Sequence, residues 1–303
     1  MRRTTSFERQ GLTFEVRDSG PEDGTPVVLL HGFPQTSVSW ETVARLLNNQ
    51  GFRTWAPDQR GYSPRAAPSR RRDYRLSELV ADAVALIEEA HAGPVHLVGH
   101  DWGAGVAWSV ADRRPDLIRT LTAVSVPHPL AFVGAALTST QMFKSWYMLL
   151  FQLPWMPELL MRKEDGFFYR RLLGTGQTPE KAARDLSDLH RLGAVTNSLH
   201  WYRALPFALS SLPLRKITVP TLQVWSDGDT AVGRKGHDMS RRRVTSSWNL
   251  HVLNGISHWI PEEAPEELAK LLLDHFRKFD DVRPDALSNN TTRDAHRVDG
   301  VSA

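Results

Sequence analysis

Three stretches of this chain carry side chains that could do chemistry together. They are "VHLVGHDWGAGVAW" at 95–108, "WSDGD" at 225–229 and "GISHWIP" at 255–261. In the first, Gly99-His100-Asp101-Trp102-Gly103 has the form of a nucleophile elbow: small residues let an apolar strand bend abruptly into a helix with the central side chain at the tip. Serine is the usual tip residue, and here it is aspartate. A carboxylate that attacks a saturated carbon forms an ester, which water can cleave, whereas a serine oxygen would leave an ether. With a reference pKa of ~3.9 the carboxylate needs no base to become a nucleophile. A histidine is then free to activate water in a second step.

His258 is the candidate base, and Asp229 is its candidate orienting acid, at a G-x-x-D-like offset with Ser226 in the glycine place. Asp227 reads as a turn residue and remains a weaker alternative. Each residue taken singly has a plain structural role. Asp101 could cap the helix that follows, and His258 could be a satisfied buried histidine. Nucleophile, acid and histidine in that order along the chain, each just past an expected strand, are far more specific than any one of them.

The elements that must position these residues follow from hydrophobic periodicity. "PVVLLHGF", "FRTWAP", "PVHLVGH" and "IRTLTAVSVP" are near-continuous apolar runs, suited to strands buried on both faces. They alternate with helical patterns in "SWETVARLLNNQG", "LSELVADAVALIEEAH" and "GAGVAWSVADRRP", which is the βαβ signature of a parallel sheet. "FERQGLTFEVRDSG" reads as an edge hairpin. After Pro129 the alternation gives way to helical, aromatic-rich sequence, and strands resume with "VPTLQVWSDGD" and "WNLHVLNGISH" before the amphipathic helix "PEELAKLLLDHFRKF". The expected organisation is a discontinuous core at 1–128 and 213–281, a helical cap at 129–212 and a tail at 282–303 without apolar periodicity. In open α/β sheets ligands bind beyond the carboxyl ends of the strands, so 31–34, 101, 227–229 and 258 should converge on one rim.

Bulk properties narrow the class. The chain has 303 residues, 41% of them apolar and 23% charged, which is the range of a globular protein. Its net charge is only +3, and its arginine runs, Arg70 to Arg72 and Arg241 to Arg243, are short and far apart. They read as solvated surface and not as a nucleic-acid face. With no cysteine the chain can hold neither a disulfide nor a thiolate nucleophile, which fits a reducing compartment. No apolar run is long enough for a membrane span, and "MRRTTSFERQ" is not followed by a signal-peptide core. A cytoplasmic location is expected. No phosphate loop, dinucleotide fingerprint or metal cluster appears, so no cofactor is expected.

The pieces "HGFP" (31–34), "DQRGYSP" (58–64), "GHDWG" (99–103), "SDGD" (226–229) and "ISHW" (256–259) together resemble the epoxide hydrolase branch of the α/β-hydrolase superfamily, over about residues 6–280. The resemblance implies an α/β-hydrolase fold, a doubly wound and mostly parallel sheet with a helical cap insertion. It also implies that Asp101 opens an epoxide to an alkyl ester, which water activated by His258 and Asp229 then hydrolyses. Backbone N–H groups of Phe33 and Trp102 take the oxyanion-hole positions. Two cap tyrosines, Tyr147 in "WYMLLFQ" and Tyr202 in "HWYRALPF", take the positions that donate a proton to the epoxide oxygen. Taken alone, each of these tyrosines would be a packing residue. Tyr169 is read as one.

Trp102, Trp146, Phe151, Trp155 and Trp259, with Phe167 and Phe168, suggest a pocket for a small apolar or aromatic epoxide, with water as second substrate and neither nucleic acid nor membrane as partner. His31 and His100 are read as structural, and the oligomeric state is open, a homodimer included. Haloalkane and haloacid dehalogenases share the aspartate elbow and are the nearest rivals. The halide site, however, is incomplete around Phe33 and Trp102, and the arginine that usually follows the nucleophile in fluoroacetate dehalogenases is replaced by Trp102. A non-catalytic ligand-binding protein on the same fold is the third reading.

Overall fold

Strands that are apolar on both sides need helices on both faces of the sheet, and a computed structural model provides them. It describes residues 3–280 apart from 92, 164 and 208–211; the tail expected at 282–303 lies outside the described residues. Strands β1 (Ser6–Arg9), β2 (Leu12–Ser19), β3 (Thr25–Leu30), β4 (Phe52–Pro57), β5 (Val95–His100), β6 (Ile118–Val124), β7 (Thr221–Ser226) and β8 (Trp248–Leu253) form one sheet. Their order is β1-β2-β4-β3-β5-β6-β7-β8. The hairpin β1–β2 is antiparallel and joins β4 antiparallel, and all the other pairs are parallel.

From β3 the chain moves outward to β4, and from β5 it moves the opposite way to β6, β7 and β8. The two carboxyl ends at this switch, in step with Leu30 opposite Gly99, leave a crevice where their loops part. Helices α1 (Glu41–Asn48), α2 (Leu76–Glu89) and α3 (Trp102–Arg113) make the crossovers. One core layer packs Trp40, Val43 and Leu47 against Leu268, Leu272 and Phe276; the other joins α2 and α3 to the opposite face.

Between β6 and β7 the main described elements are helices: α4 (Pro129–Thr138), α5 (Gln141–Lys144), α6 (Trp146–Leu150), α7 (Met156–Met161), α8 (Phe167–Gly174), α9 (Pro179–Arg191) and α10 (Val195–Arg203). After β7 come α11 (Arg234–Ser240), α12 (Ile260–Glu263) and α13 (Pro265–Asp280). In α13 the expected amphipathic pattern buries Leu268, Leu272 and Phe276, four residues apart on one face. Among the described residues no helix is long and apolar enough to cross a membrane.

Candidate active site

The bend at Asp101 is as sharp as its flanking residues suggest. Asp101 sits between β5 and α3 with φ 52° and ψ −120°, a conformation that side chains rarely adopt. The glycines make room for it. A Cβ on Gly99 would collide with the Gly103 carbonyl, and one on Gly103 with the Leu30 carbonyl, so strand and helix touch backbone to backbone. A Cβ on Gly32 would strike the Asp101 side chain itself. Asp101 does not cap α3 through its side chain. Its Oδ1 instead accepts a 2.8 Å hydrogen bond from the Phe33 amide, and the Trp102 amide also favours its charged form.

Asp229 and His258 arrive from the ends of β7 and β8. Asp229 is fixed first by backbone, its Oδ1 accepting from the amides of Ala231 and Val232 at 2.7 and 2.8 Å. Its Oδ2 then meets His258 Nδ1 at 2.7 Å, and His258 Nε2 lies 3.5 Å from Asp101 Oδ2. Asp227 is the turn residue, accepting from the Gly255 amide at 2.6 Å. Burial by itself would lower the pKa of His258, but the flanking Asp229 and Asp101 outweigh it and hold the imidazolium up to about 10. Burial would raise the Asp101 carboxyl, and His258 holds it below the ordinary carboxylate value instead. His100 is structural: its Nε2 and the Ser125 hydroxyl both donate to the His258 carbonyl at 2.9 Å, and burial pushes its pKa down to about 4. His31 is structural too, its Nε2 accepting from the Gln59 amide at 3.1 Å.

Above this rim, Tyr147 on α6 and Tyr202 on α10 line one cavity together with Asp101 and His258. Their rings are 6.0 Å apart. Burial raises both phenols above their ordinary pKa. The Asp101 charge adds to this for Tyr147, and Tyr147 and then Asp101 add to it for Tyr202, so both phenols stay protonated. Gln152 Nε2 donates to the Tyr202 carbonyl at 2.8 Å, and Arg203 Nε donates to the Phe151 carbonyl at 3.0 Å. The "FQ" and "WYR" segments are thus tied to each other. Trp146, Phe151, Phe167, Phe168 and Trp259 line the same cavity, and the Phe33 ring packs edge-on against Phe151 and Tyr202 at 5.4 and 5.2 Å. Trp102 lines an adjoining apolar cavity that shares Asp101, Tyr147 and Tyr202.

A model of the alpha/beta hydrolase fold family matches residues 25–265. The chain is an α/β hydrolase. It is 34% identical over 274 residues to the AB hydrolase superfamily protein YfhM of Bacillus subtilis, covering 88% of this chain and 95% of that one. It is 31% identical over 279 residues to epoxide hydrolase 3 of Xenopus tropicalis, covering 88% and 76%. Among solved structures, an epoxide hydrolase of Bacillus megaterium in complex with an inhibitor superposes with a TM-score of 0.80 at 26% identity, covering 90% of this chain and 99% of that one.

One expectation for this α/β hydrolase is overturned. Trp155 is no part of the cavity wall: it stands at the start of α7 with φ 51°, and the residue is 81% exposed. The turn after Pro154 points it outward, and Pro157 and Leu160 reach the cavity instead. Two further features carry no local sequence signal. Arg171 lines the cavity from α8. Glu262, on α12 just past His258, joins Gln35 of the Phe33 loop at 2.7 Å to Arg184 of α9 at 2.6 Å. Partners 227 and 78 positions away in sequence leave no local pattern to read.

Proposed function

We propose that this chain hydrolyses epoxides to vicinal diols through an ester on Asp101, under a cap formed by residues 129–212. The observation that carries this reading is the sharing of one apolar cavity by the Asp101 carboxylate, His258 and two neutral tyrosines. Its relatives named epoxide hydrolases support the substrate class.

An Asp101 oxygen attacks a ring carbon, the ring C–O bond breaks, and the departing oxygen takes a proton from Tyr147 or Tyr202. Ester formation neutralises Asp101 and removes one of the two carboxylates that hold the His258 imidazolium. The proton it then loses restores the tyrosine, and neutral His258, oriented by Asp229, takes a proton from water attacking the ester carbonyl. Charge that builds on the Asp101 oxygen faces the amides of Phe33 and Trp102. Collapse breaks the ester C–O bond, the departing alkoxide takes the proton of the Asp101 carboxylic acid so formed, and the diol leaves with the carboxylate regenerated and His258 again an imidazolium.

Styrene oxide is a suitable first substrate for the aromatic cavity. Asp101→Asn should lower its turnover by roughly 10⁴-fold or more, and His258→Gln should accumulate the ester, visible as an added mass on the peptide bearing Asp101. In a single wild-type turnover in ¹⁸O-water, label should enter Asp101 and not the diol. Label in the diol, or halide release from haloalkanes without diol formation from epoxides, overturns the assignment.

A further inference from the structure

Helix α8 turns one stripe toward the cavity: Phe167, Phe168, Arg171, Leu172 and, just past its end, Thr175. Spacing of three and four residues puts them on one face. Four of these five are compatible with an apolar or weakly polar wall, and the fifth is a cation. Arg170, next to it, is exposed and does not line the cavity.

The half-buried Arg171 differs from the other arginines of the helical insertion that are withdrawn from solvent. Arg184 pairs with Asp185 at 2.5 Å and Glu262 at 2.6 Å, and Arg203 pairs with Glu158 at 2.7 Å. Among the described residues no carboxylate, side-chain hydrogen bond or aromatic ring partners the Arg171 guanidinium. The guanidinium keeps contact with solvent but has no counter-charge on the otherwise uncharged face that α8 turns to the cavity, and a planar carboxylate is the ligand its fork of N–H groups fits best. Its charge reaches the reacting end of the cavity, where it acts on the Tyr147 phenol. The adjoining cavity behind Trp102 is lined by Leu76, Val126, Phe132, Val133, Met148 and Leu205 among others and contains no lysine or arginine among its described lining residues.

We propose that Arg171 is an anion-recognition residue and that the site takes epoxides bearing a carboxylate on one arm. Resting on the epoxide hydrolase reading, the assignment also sets the orientation. The carboxylate lies toward α8, the other, apolar substituent enters the cavity behind Trp102, and the epoxide is held between them at Asp101.

Binding of 4-phenylbutyrate and of its uncharged amide, measured by calorimetry, tests this without any turnover. Wild type should bind the acid at least about tenfold more tightly, as a charge-assisted hydrogen bond provides. Arg171→Met should abolish that preference by weakening acid binding far more than amide binding, and Arg171→Lys should keep part of it. If the acid binds no better than the amide, including no binding of either, or if the preference survives in Arg171→Met, the proposal is overturned. A protein that shows the preference yet makes no diol from any epoxide would instead overturn the hydrolase reading.

Discussion

The strand-end rim and the helical insertion face each other across one cavity and are held by different means. On the rim, backbone does the fixing: amides of Phe33, Ala231 and Val232 hold the two carboxylates, and glycines let β3, β5 and α3 approach until their backbones touch. On the insertion, side chains do it: Tyr202 packs edge-on to Phe33, Trp102 and Phe151, and Gln152 and Arg203 donate to the carbonyls of Tyr202 and Phe151. The outer surface carries apolar side chains as well as charged ones, with Phe143, Leu149 and Trp155 each at least three-quarters exposed. A site fixed by backbone needs particular residue types at particular places, whereas a packed wall needs only suitable bulk. The rim should therefore tolerate little change, and the insertion should tolerate much except where it touches the reacting atoms.

The largest effect expected of the insertion tests that exception. A Tyr147→Phe, Tyr202→Phe double variant keeps both rings and removes only the hydroxyls. Turnover of styrene oxide should fall by roughly 10²–10⁴-fold, the range of a lost general acid, with the fold unchanged by circular dichroism. Full activity would reduce the insertion to a passive wall.

On the rim, electrostatic coupling between Asp101 and His258 is the next largest expectation. An opposite charge within a few ångströms shifts a pKa by about 1–3 units, so Asp101→Asn should move the His258 midpoint, followed by NMR of the ring, down from about 10 by tenfold or more in proton affinity. The folded protein holds this proton more tightly than an unfolded chain does. The stabilisation is therefore complete below the ordinary imidazole pKa and is lost as pH rises toward about 10. Wild-type stability should decline over that window, and more steeply than that of Asp101→Asn. An unchanged midpoint would uncouple the two residues.

Backbone contact itself can be tested with two glycines of α3. Gly103→Ala pushes a methyl into the carbonyls of Leu30 and His31, and neither can move without shifting β3, so a loss of roughly 2–3 kcal/mol in urea unfolding is expected. A methyl on Gly105 would meet nothing within 4 Å, and Gly105→Ala should stabilise the helix by about 0.5–1 kcal/mol. Equal effects would mean that the elbow is not built on contact.

The same difference explains what can be read from sequence. The parallel sheet with its edge hairpin, the sharp bend at Asp101, and the placing of Asp229 and not Asp227 against His258 are legible, because strands announce themselves by composition and their ends by glycine and aspartate. Tyr147 and Tyr202 emerge by resemblance and not by periodicity, which describes a packing tyrosine equally well. Arg171 escapes notice because an arginine in "FFYRRLLG" looks like solvated surface until the phase of α8 is known, and adjacent Arg170 is such a residue.

Trp155 is the converse error, and it supports the smallest prediction. An aromatic among aromatics is expected in the pocket, but the direction of its ring depends on a turn that composition does not reveal. The left-handed backbone at Trp155 costs a tryptophan about 1 kcal/mol or more, and at the head of α7 it makes no side-chain cap. Asparagine tolerates that left-handed conformation far better than tryptophan does. Trp155→Asn should therefore raise stability by about 1 kcal/mol and leave kcat/KM for styrene oxide within twofold. A tenfold loss in kcat/KM would show that the ring folds inward over bound substrate, and the boundary between cavity wall and outer surface would then move to include it.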